Sequence, residues 1–162
     1  ANVQDANDNK ITSTSLNDIV VYNYGLLKMI QAKIYINNFL VNIQRSDGVI
    51  ISTPTGSTAY SMSNGCPIVS PDAKVISITP ISPHTYSHRP LIINHRDKIR
   101  IEIDKNSVKN TLVTFDGANN LNVAHPKIID IKKSNKTLMI AHPLDYNYFK
   151  ILNQKLKWGG RS

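Results

Sequence analysis

Arg45-Ser-Asp-Gly-Val-Ile-Ile-Ser-Thr-Pro-Thr-Gly-Ser-Thr-Ala-Tyr60 carries an apolar β-type run, Val49 to Ile51, into a loop hinged by Pro54 and Gly56. Eight of the twelve residues from Ser52 to Ser63 bear a hydroxyl, and nothing from Gly48 to Pro71 is charged. A strand end, a sharp turn and a helix start at Ser57, a suitable N-cap, follow from that order of residues. Free backbone N–H groups at such a start, with the hydroxyls of Thr55, Ser57 and Thr58, surround a polar ligand with neutral donors and acceptors. Tyr60 adds a face for a base or ribose, and Asp47 an acceptor for ribose hydroxyls. The same hydroxyls would equally cap a helix and satisfy turns, and local sequence leaves both readings open.

Outward from this stretch the punctuation is that of a mainly β domain. Lys33 to Ile36 and Phe39 to Gln44 flank Asn37-Asn38, a pair that tolerates the positive φ of a tight hairpin. Lys98-Ile-Arg-Ile-Glu-Ile-Asp104 alternates strictly, as a strand with one buried face does. Ile19–Tyr22, Val49–Ser52, Val75–Thr79, Leu91–Ile93, Thr111–Phe115, Lys127–Ile131 and Thr137–Ala141 complete the predicted strands. Two helices are predicted. One follows the Gly56 loop and ends at Asn64-Gly65. The other is C-terminal, with Leu144, Tyr148, Leu152 and Leu156 on one face. Residues 1–10 read as a polar, frayed arm, 11–158 as the folded domain and 159–162 as a tail.

With 162 residues, 41% of them apolar and 19% charged, the chain has the make-up of a soluble globular domain. No apolar run reaches membrane length, and the polar start is no signal peptide. One cysteine, Cys66, forms no internal disulfide, which favours a reducing, cytoplasmic setting. The net charge of +8 comes from 14 Lys and 5 Arg spread along the chain, with no zinc-ligand spacing and no aromatic-basic RNA motif. Neither a nucleic-acid nor a membrane partner is expected. The loop has no lysine until Lys74, which excludes a phosphate-cradling Gly-Lys-Ser/Thr, and it lacks the second glycine of a hydrolase elbow.

Taken together, Asp47 to Tyr60, Gly65 and Pro67 closely resemble the signature of the NAD kinase family. Asn17-Asp18 is similar to that family's Asn-Glu pair. Pro83-His84-Thr85, Arg89-Pro90-Leu91, Phe115-Asp116-Gly117 and the ending His142 to Phe149 with Lys155 to Trp158 also fit the bacterial members. The resemblance implies phosphoryl transfer from ATP or polyphosphate to the 2′-hydroxyl of the adenosine ribose of NAD, assisted by a divalent metal (Mg or Mn). It implies that this chain is the β-rich C-terminal domain and forms a homo-oligomer, dimer or tetramer. NAD-binding positions would be Asn17, Asp18, Arg45, Asp47, Thr55, Thr58, Ala59, Tyr60, Ser61, Met62 and Ser63. Lys28 falls where some members place a ligand-contacting histidine.

The family's catalytic aspartate belongs to a Gly-Gly-Asp-Gly motif. The one Gly-Gly here, Gly159-Gly160, precedes Arg161, so neither a catalytic residue nor a metal ligand is expected in this chain. Three positions depart from the family pattern. Asp18 is one methylene shorter than Glu, Cys66 stands where a second glycine is usual, and Ala118 falls where a polar contact is common. The alternative expectation is a nucleotide-binding module without catalysis.

Overall fold

A computed structural model describes residues 1–25, 29–85, 87–118 and 123–157. Twelve strands are formed among them: β1 Asn2–Asp5, β2 Lys10–Thr12, β3 Asp18–Asn23, β4 Ile30–Ile36, β5 Phe39–Ser46, β6 Gly48–Ser52, β7 Val75–Ile81, β8 Leu91–Asn94, β9 Ile99–Ile103, β10 Thr111–Phe115, β11 Val123–Ala124 and β12 Pro126–Ile131. They make two six-stranded sheets, ordered β2-β1-β12-β9-β4-β5 and β11-β10-β3-β6-β7-β8. Every pairing is antiparallel.

The alternation along each strand decides which face turns inward. Ile99, Ile101 and Ile103 of β9 are buried while Arg100 points out. Ile30, Ala32 and Ile34 of β4 and Ile129 and Ile131 of β12 continue the same inner face. Against it pack Ile19 and Val21 of β3, Val49 and Ile51 of β6, Ile76 and Ile78 of β7, and Val113 and Phe115 of β10. One apolar cluster therefore spans both sheets, the arrangement of a sandwich core. Each fully buried side chain of this size contributes about 1.5–3 kcal/mol.

The quoted stretch departs from alternation for a reason. All five residues of β6 are buried, because it is a central strand with a second small cluster of Val20, Ile50, Ile81 and the half-buried Tyr22. A strand covered on both sides reads as a continuous apolar run. The Asn37-Asn38 hairpin forms as expected, with φ of 50° and 69° joining Ile36 and Phe39 across β4 and β5.

Four expectations are corrected. Thr137–Ala141 forms no strand, and Leu138, Met139 and Ile140 are exposed; β propensity does not make a strand without a neighbouring edge to bond. Ser57 caps no helix: the segment is a 3-10 turn, Thr55–Thr58, broken at Ala59 before the single turn of α1, Tyr60–Ser63. The C-terminal helix, α2, is shorter than the four-residue spacing suggested. It spans Tyr148–Leu156, the Asn147 side chain caps it by accepting from the Lys150 N–H, and Leu144 lies outside it in solvent. The first residues are not a frayed arm, since β1 pairs with β12 and Val3 is buried in the core. Lys28, Trp158 and the 159–162 tail lie outside the described residues.

Candidate functional site

The segment Leu16–Asp18, which leads into β3, is held from two sides. From one side the Asp116 carboxylate, at the end of β10, accepts the backbone N–H of Leu16 at 2.7 Å, Asn17 at 2.7 Å and Asp18 at 3.0 Å. Asp116 sits at φ 50° beside Gly117 at φ 67°, a left-handed pair that Asp and Gly accept more readily than other residues. From the other side the quoted loop docks on the same backbone. The Thr53 N–H donates to the Asn17 carbonyl at 2.9 Å, and the Thr53 hydroxyl donates to the Leu16 carbonyl at 2.7 Å. Gly56 then packs so closely that a Cβ there would lie 2.1 Å from the Asn17 carbonyl oxygen. Only a residue without a side chain permits that approach.

This clamp frames a cavity of about 430 Å³ lined by Asn17, Asp18, Val20, Tyr22, Ala59, Tyr60, Thr114, Asp116 and Gly117. Strand β3, the end of β10 and the short α1 turn thus meet at one concavity. Tyr60 stands at its rim, half-exposed, an aromatic face available to a planar ligand. Burial pushes the Asp18 carboxyl up from its ordinary value, and repulsion from Asp116 adds to it. A carboxyl so placed gains from a hydroxyl or amine that donates to it.

Much of the hydroxyl-rich turn faces the protein instead. Ser61 is fully buried, donates to the Gly56 carbonyl at 2.9 Å and accepts from the Ser52 hydroxyl. Ser57 is equally buried, donates to the Pro54 carbonyl at 2.7 Å and accepts the Val69 N–H at 3.0 Å. These bonds give the loop its fixed shape, and at Ser57 and Ser61 the hydroxyls satisfy the turn. Cys66, in place of the expected glycine, is accommodated in the interior, and its N–H donates to the Ser61 carbonyl.

Of the residues singled out in the sequence, Asn17, Asp18, Ala59 and Tyr60 share this cavity. Thr55 lines a second one on the other side of Asn17 and Asp18. Arg45 lies in a third, of about 280 Å³, with Met29, Ile43, His84, Thr85 and His88. Asp47 is exposed, and its backbone continues the sheet through Asn23 and Ile81. Thr58, Met62 and Ser63 belong to the same turn but line none of the three cavities. Lys28 is outside the described residues.

Val20, Tyr22, Thr114 and Asp116 are the additions that sequence reasoning missed. Asp116 entered the sequence reading only within the Phe115-Asp116-Gly117 match, and its three-fold grip on Leu16–Asp18 spans about a hundred residues of sequence. Among the described residues no three His, Cys, Asp or Glu side chains converge as metal ligands. Both oxygens of Asp116 are already bonded to backbone N–H groups. The described residues therefore do not amount to a protein-built metal cage.

The model of the ATP-NAD kinase C-terminal domain matches residues 16–142. The NAD kinase of Wigglesworthia glossinidia brevipalpis is 45% identical over 143 residues, 88% of this chain and 48% of that protein. That of Blochmanniella floridana is 42% identical over 156 residues, 96% of this chain and 53% of that protein. The fold superposes on the crystal structure of yeast NADH kinase complexed with NADH with a TM-score of 0.82 and 28% identity, covering 99% of this chain and 49% of that one. An NAD kinase from Archaeoglobus fulgidus in complex with ATP gives a TM-score of 0.67 at 30% identity, covering 75% of this chain and 46% of that one. The chain spans about half the length of the curated relatives it matches. With the family model covering most of its length, and with the two-sheet fold and the Asp47–Tyr60 signature in agreement, this chain belongs to the ATP-NAD kinase C-terminal domain family.

Proposed function

We propose that residues 11–158 form the nucleotide-holding part of an NAD kinase, which transfers a phosphoryl group from ATP or polyphosphate to the adenosine-ribose 2′-hydroxyl of NAD. The observation that carries this reading is the cavity in which Asn17-Asp18 from one end of the signature set meets Ala59-Tyr60 from the other. Tyr60 stacks on the adenine or ribose, Asn17 offers an amide to the base, and Asp18 accepts a ribose hydroxyl. The oriented Asp18 and the fixed Gly56 loop supply positioning, which is most of what phosphoryl transfer asks of a protein. The base that takes the 2′-hydroxyl proton belongs to the Gly-Gly-Asp-Gly motif, which these 162 residues do not contain. A divalent metal, in this reading, is held mainly by the nucleotide phosphates, since magnesium commonly binds through one or two carboxylates and phosphate oxygens.

The expected setting is cytoplasmic; no described helix is long and apolar enough to cross a membrane. A second copy of the chain is the expected partner. In support, β5 ends its sheet with Phe39, Leu40, Val41 and Ile43 exposed, an edge that proteins normally cover.

Ligand-observed NMR with NAD, on the native chain and on Tyr60→Ala, tests the binding claim. NAD should bind, and the variant should bind about tenfold more weakly, a loss near 1.4 kcal/mol. No NAD signal change at millimolar protein would sink it. Incubation with NAD, ATP and magnesium should yield no NADP at ordinary enzyme rates. Turnover would overturn the assignment of the base to another part of the enzyme. Tight NAD binding that survives unchanged when the Gly-Gly-Asp-Gly half of a relative is added, still without turnover, favours the non-catalytic module.

A further inference from the structure

The cavity that joins Asn17-Asp18 to Ala59-Tyr60 is uneven in charge. Asp18 and Asp116 line it, and no Lys, Arg or His does so among the described residues. Asp116 gives its carboxylate to three backbone N–H groups. Asp18 has no such partners. The residue is only 6% exposed, and its carboxyl accepts no hydrogen bond among the described residues. The two acids also feel each other, since repulsion from Asp116 adds to the burial that raises the Asp18 pKa.

Positive charge lies on the far side of the same wall. Asn17 and Asp18 also line the second cavity, where Lys74, His95, Lys132, Lys133 and Lys136 join them. The Asn17-Asp18 segment therefore divides a negative concavity from a positive one.

A kinase of the proposed kind handles two ligands that share the same adenosine. Tyr60 on the base, Asn17 at its edge and Asp18 on a ribose hydroxyl would serve either ligand, so these contacts cannot sort NAD from ATP. The remainder of each molecule differs. ATP ends in a run of ionised phosphates, whereas the diphosphate of NAD is capped by a second nucleoside with a cationic pyridinium ring. Like charges repel more strongly in a partly enclosed site than in water.

We propose that Asp18, backed by Asp116, is a specificity-determining residue that keeps ATP out of the Tyr60 cavity and leaves it to the dinucleotide. The inference rests on the reading of that cavity as an NAD site. Repulsion of the wrong ligand, rather than an extra contact with the right one, supplies the discrimination. Asp18→Asn keeps the shape of the side chain and removes its charge. The ribose contact altered in that variant is common to both ligands and cancels in the ratio of their affinities.

Competition followed by ligand-observed NMR tests it, with ATP displacing bound NAD in the absence of magnesium. In the native chain ATP should compete at least about tenfold less well than NAD, and the gap should narrow as salt rises. In Asp18→Asn the ratio should move toward ATP by about fivefold or more, the effect of one partly screened charge. Asp18→Glu, which keeps the charge, should keep the native ratio, and Tyr60→Ala should weaken both ligands and leave the ratio alone. ATP that competes as well as NAD in the native chain, or an Asp18→Asn ratio equal to native, overturns the proposal while NAD binding stands. Absence of NAD binding to the native chain overturns both this proposal and the NAD reading beneath it.

Discussion

The Asp116 carboxylate accepts the Asn17 backbone N–H at 2.7 Å, and its other oxygen takes Leu16 at the same distance. A turn at the end of β10 thus sets the position of a segment 99 residues earlier. The backbone that carries Asn17 and Asp18 is therefore as rigid as that turn. Replacing Asp116 by Ala leaves three N–H groups unmatched, that of Asp18 partly buried and those of Leu16 and Asn17 open to solvent. Hydrogen bonds to a charged acceptor contribute about 1.5–3 kcal/mol each, and losses within one group overlap. Asp116→Ala should cost about 3 kcal/mol in urea denaturation and weaken NAD binding, whereas Asp116→Asn, which keeps one acceptor oxygen, should lose less. Equal stability of native and Ala variants would show that the grip is not structural.

Gly56 meets the same segment from the opposite side. A Cβ at this position would sit 2.1 Å from the Asn17 carbonyl oxygen and 2.8 Å from its Cα, both backbone atoms. Neither moves without shifting β3. Gly56→Ala should destabilise the domain by about 3 kcal/mol, at the upper end of overpacking costs, and lower the thermal midpoint by several degrees. A midpoint within one degree of native would contradict the close approach.

Asp18 makes stability depend on pH in a direction that can be worked out. Its pKa in the folded chain is raised above the ordinary value of 3.8 by burial and by Asp116. The folded state then holds this proton more tightly than the unfolded state does. Stability is highest with Asp18 protonated and falls as pH rises through the interval above 3.8, remaining lower at neutrality. Asp18→Asn should therefore melt higher than native at pH 7, and the gap should shrink toward pH 4. A gap that widens on acidification would reverse the sign and refute the assignment.

Asn38 occupies the second central position of the β4–β5 hairpin at φ 69°, and its side chain makes no hydrogen bond among the described residues, whereas Asn37 donates to Asp97 and accepts the Lys98 N–H. Asn38→Gly relieves the left-handed cost without losing those bonds and should be neutral or stabilising by about 0.5 kcal/mol. Asn38→Val should cost about 1–2 kcal/mol. Thermal melts of the two variants should bracket the native protein.

The strands were readable wherever alternation or a continuous apolar run carried them. Lys98–Asp104 contains β9, and Val49–Ser52 falls within β6, whose continuous burial reflects its two covered faces. Thr137–Ala141 had equal β character and yet forms no strand, because pairing depends on a partner edge that local residues do not encode. β1, β2 and β11 were missed for the converse reason: four, three and two residues long, they show no period and exist because β12, β1 and β10 offer them bonds.

For the candidate site, local residue chemistry pointed to Asp47, Thr55, Ser57, Thr58 and Tyr60, and the resemblance to the NAD kinase signature added Asn17, Asp18 and Ala59. Residue order also determined that Gly56 carries no side chain and that no charge enters from Gly48 to Pro71. What tertiary structure decided is which of these groups share a space. It turned Ser57 and Ser61 inward as supports, separated Thr55 and Arg45 into other cavities, and brought Asp116 to Asn17. The physical reason is that hydroxyl direction and carboxylate reach depend on sheet pairings such as Asp18↔Ser52 and Phe115↔Ile19, contacts between residues far apart along the chain.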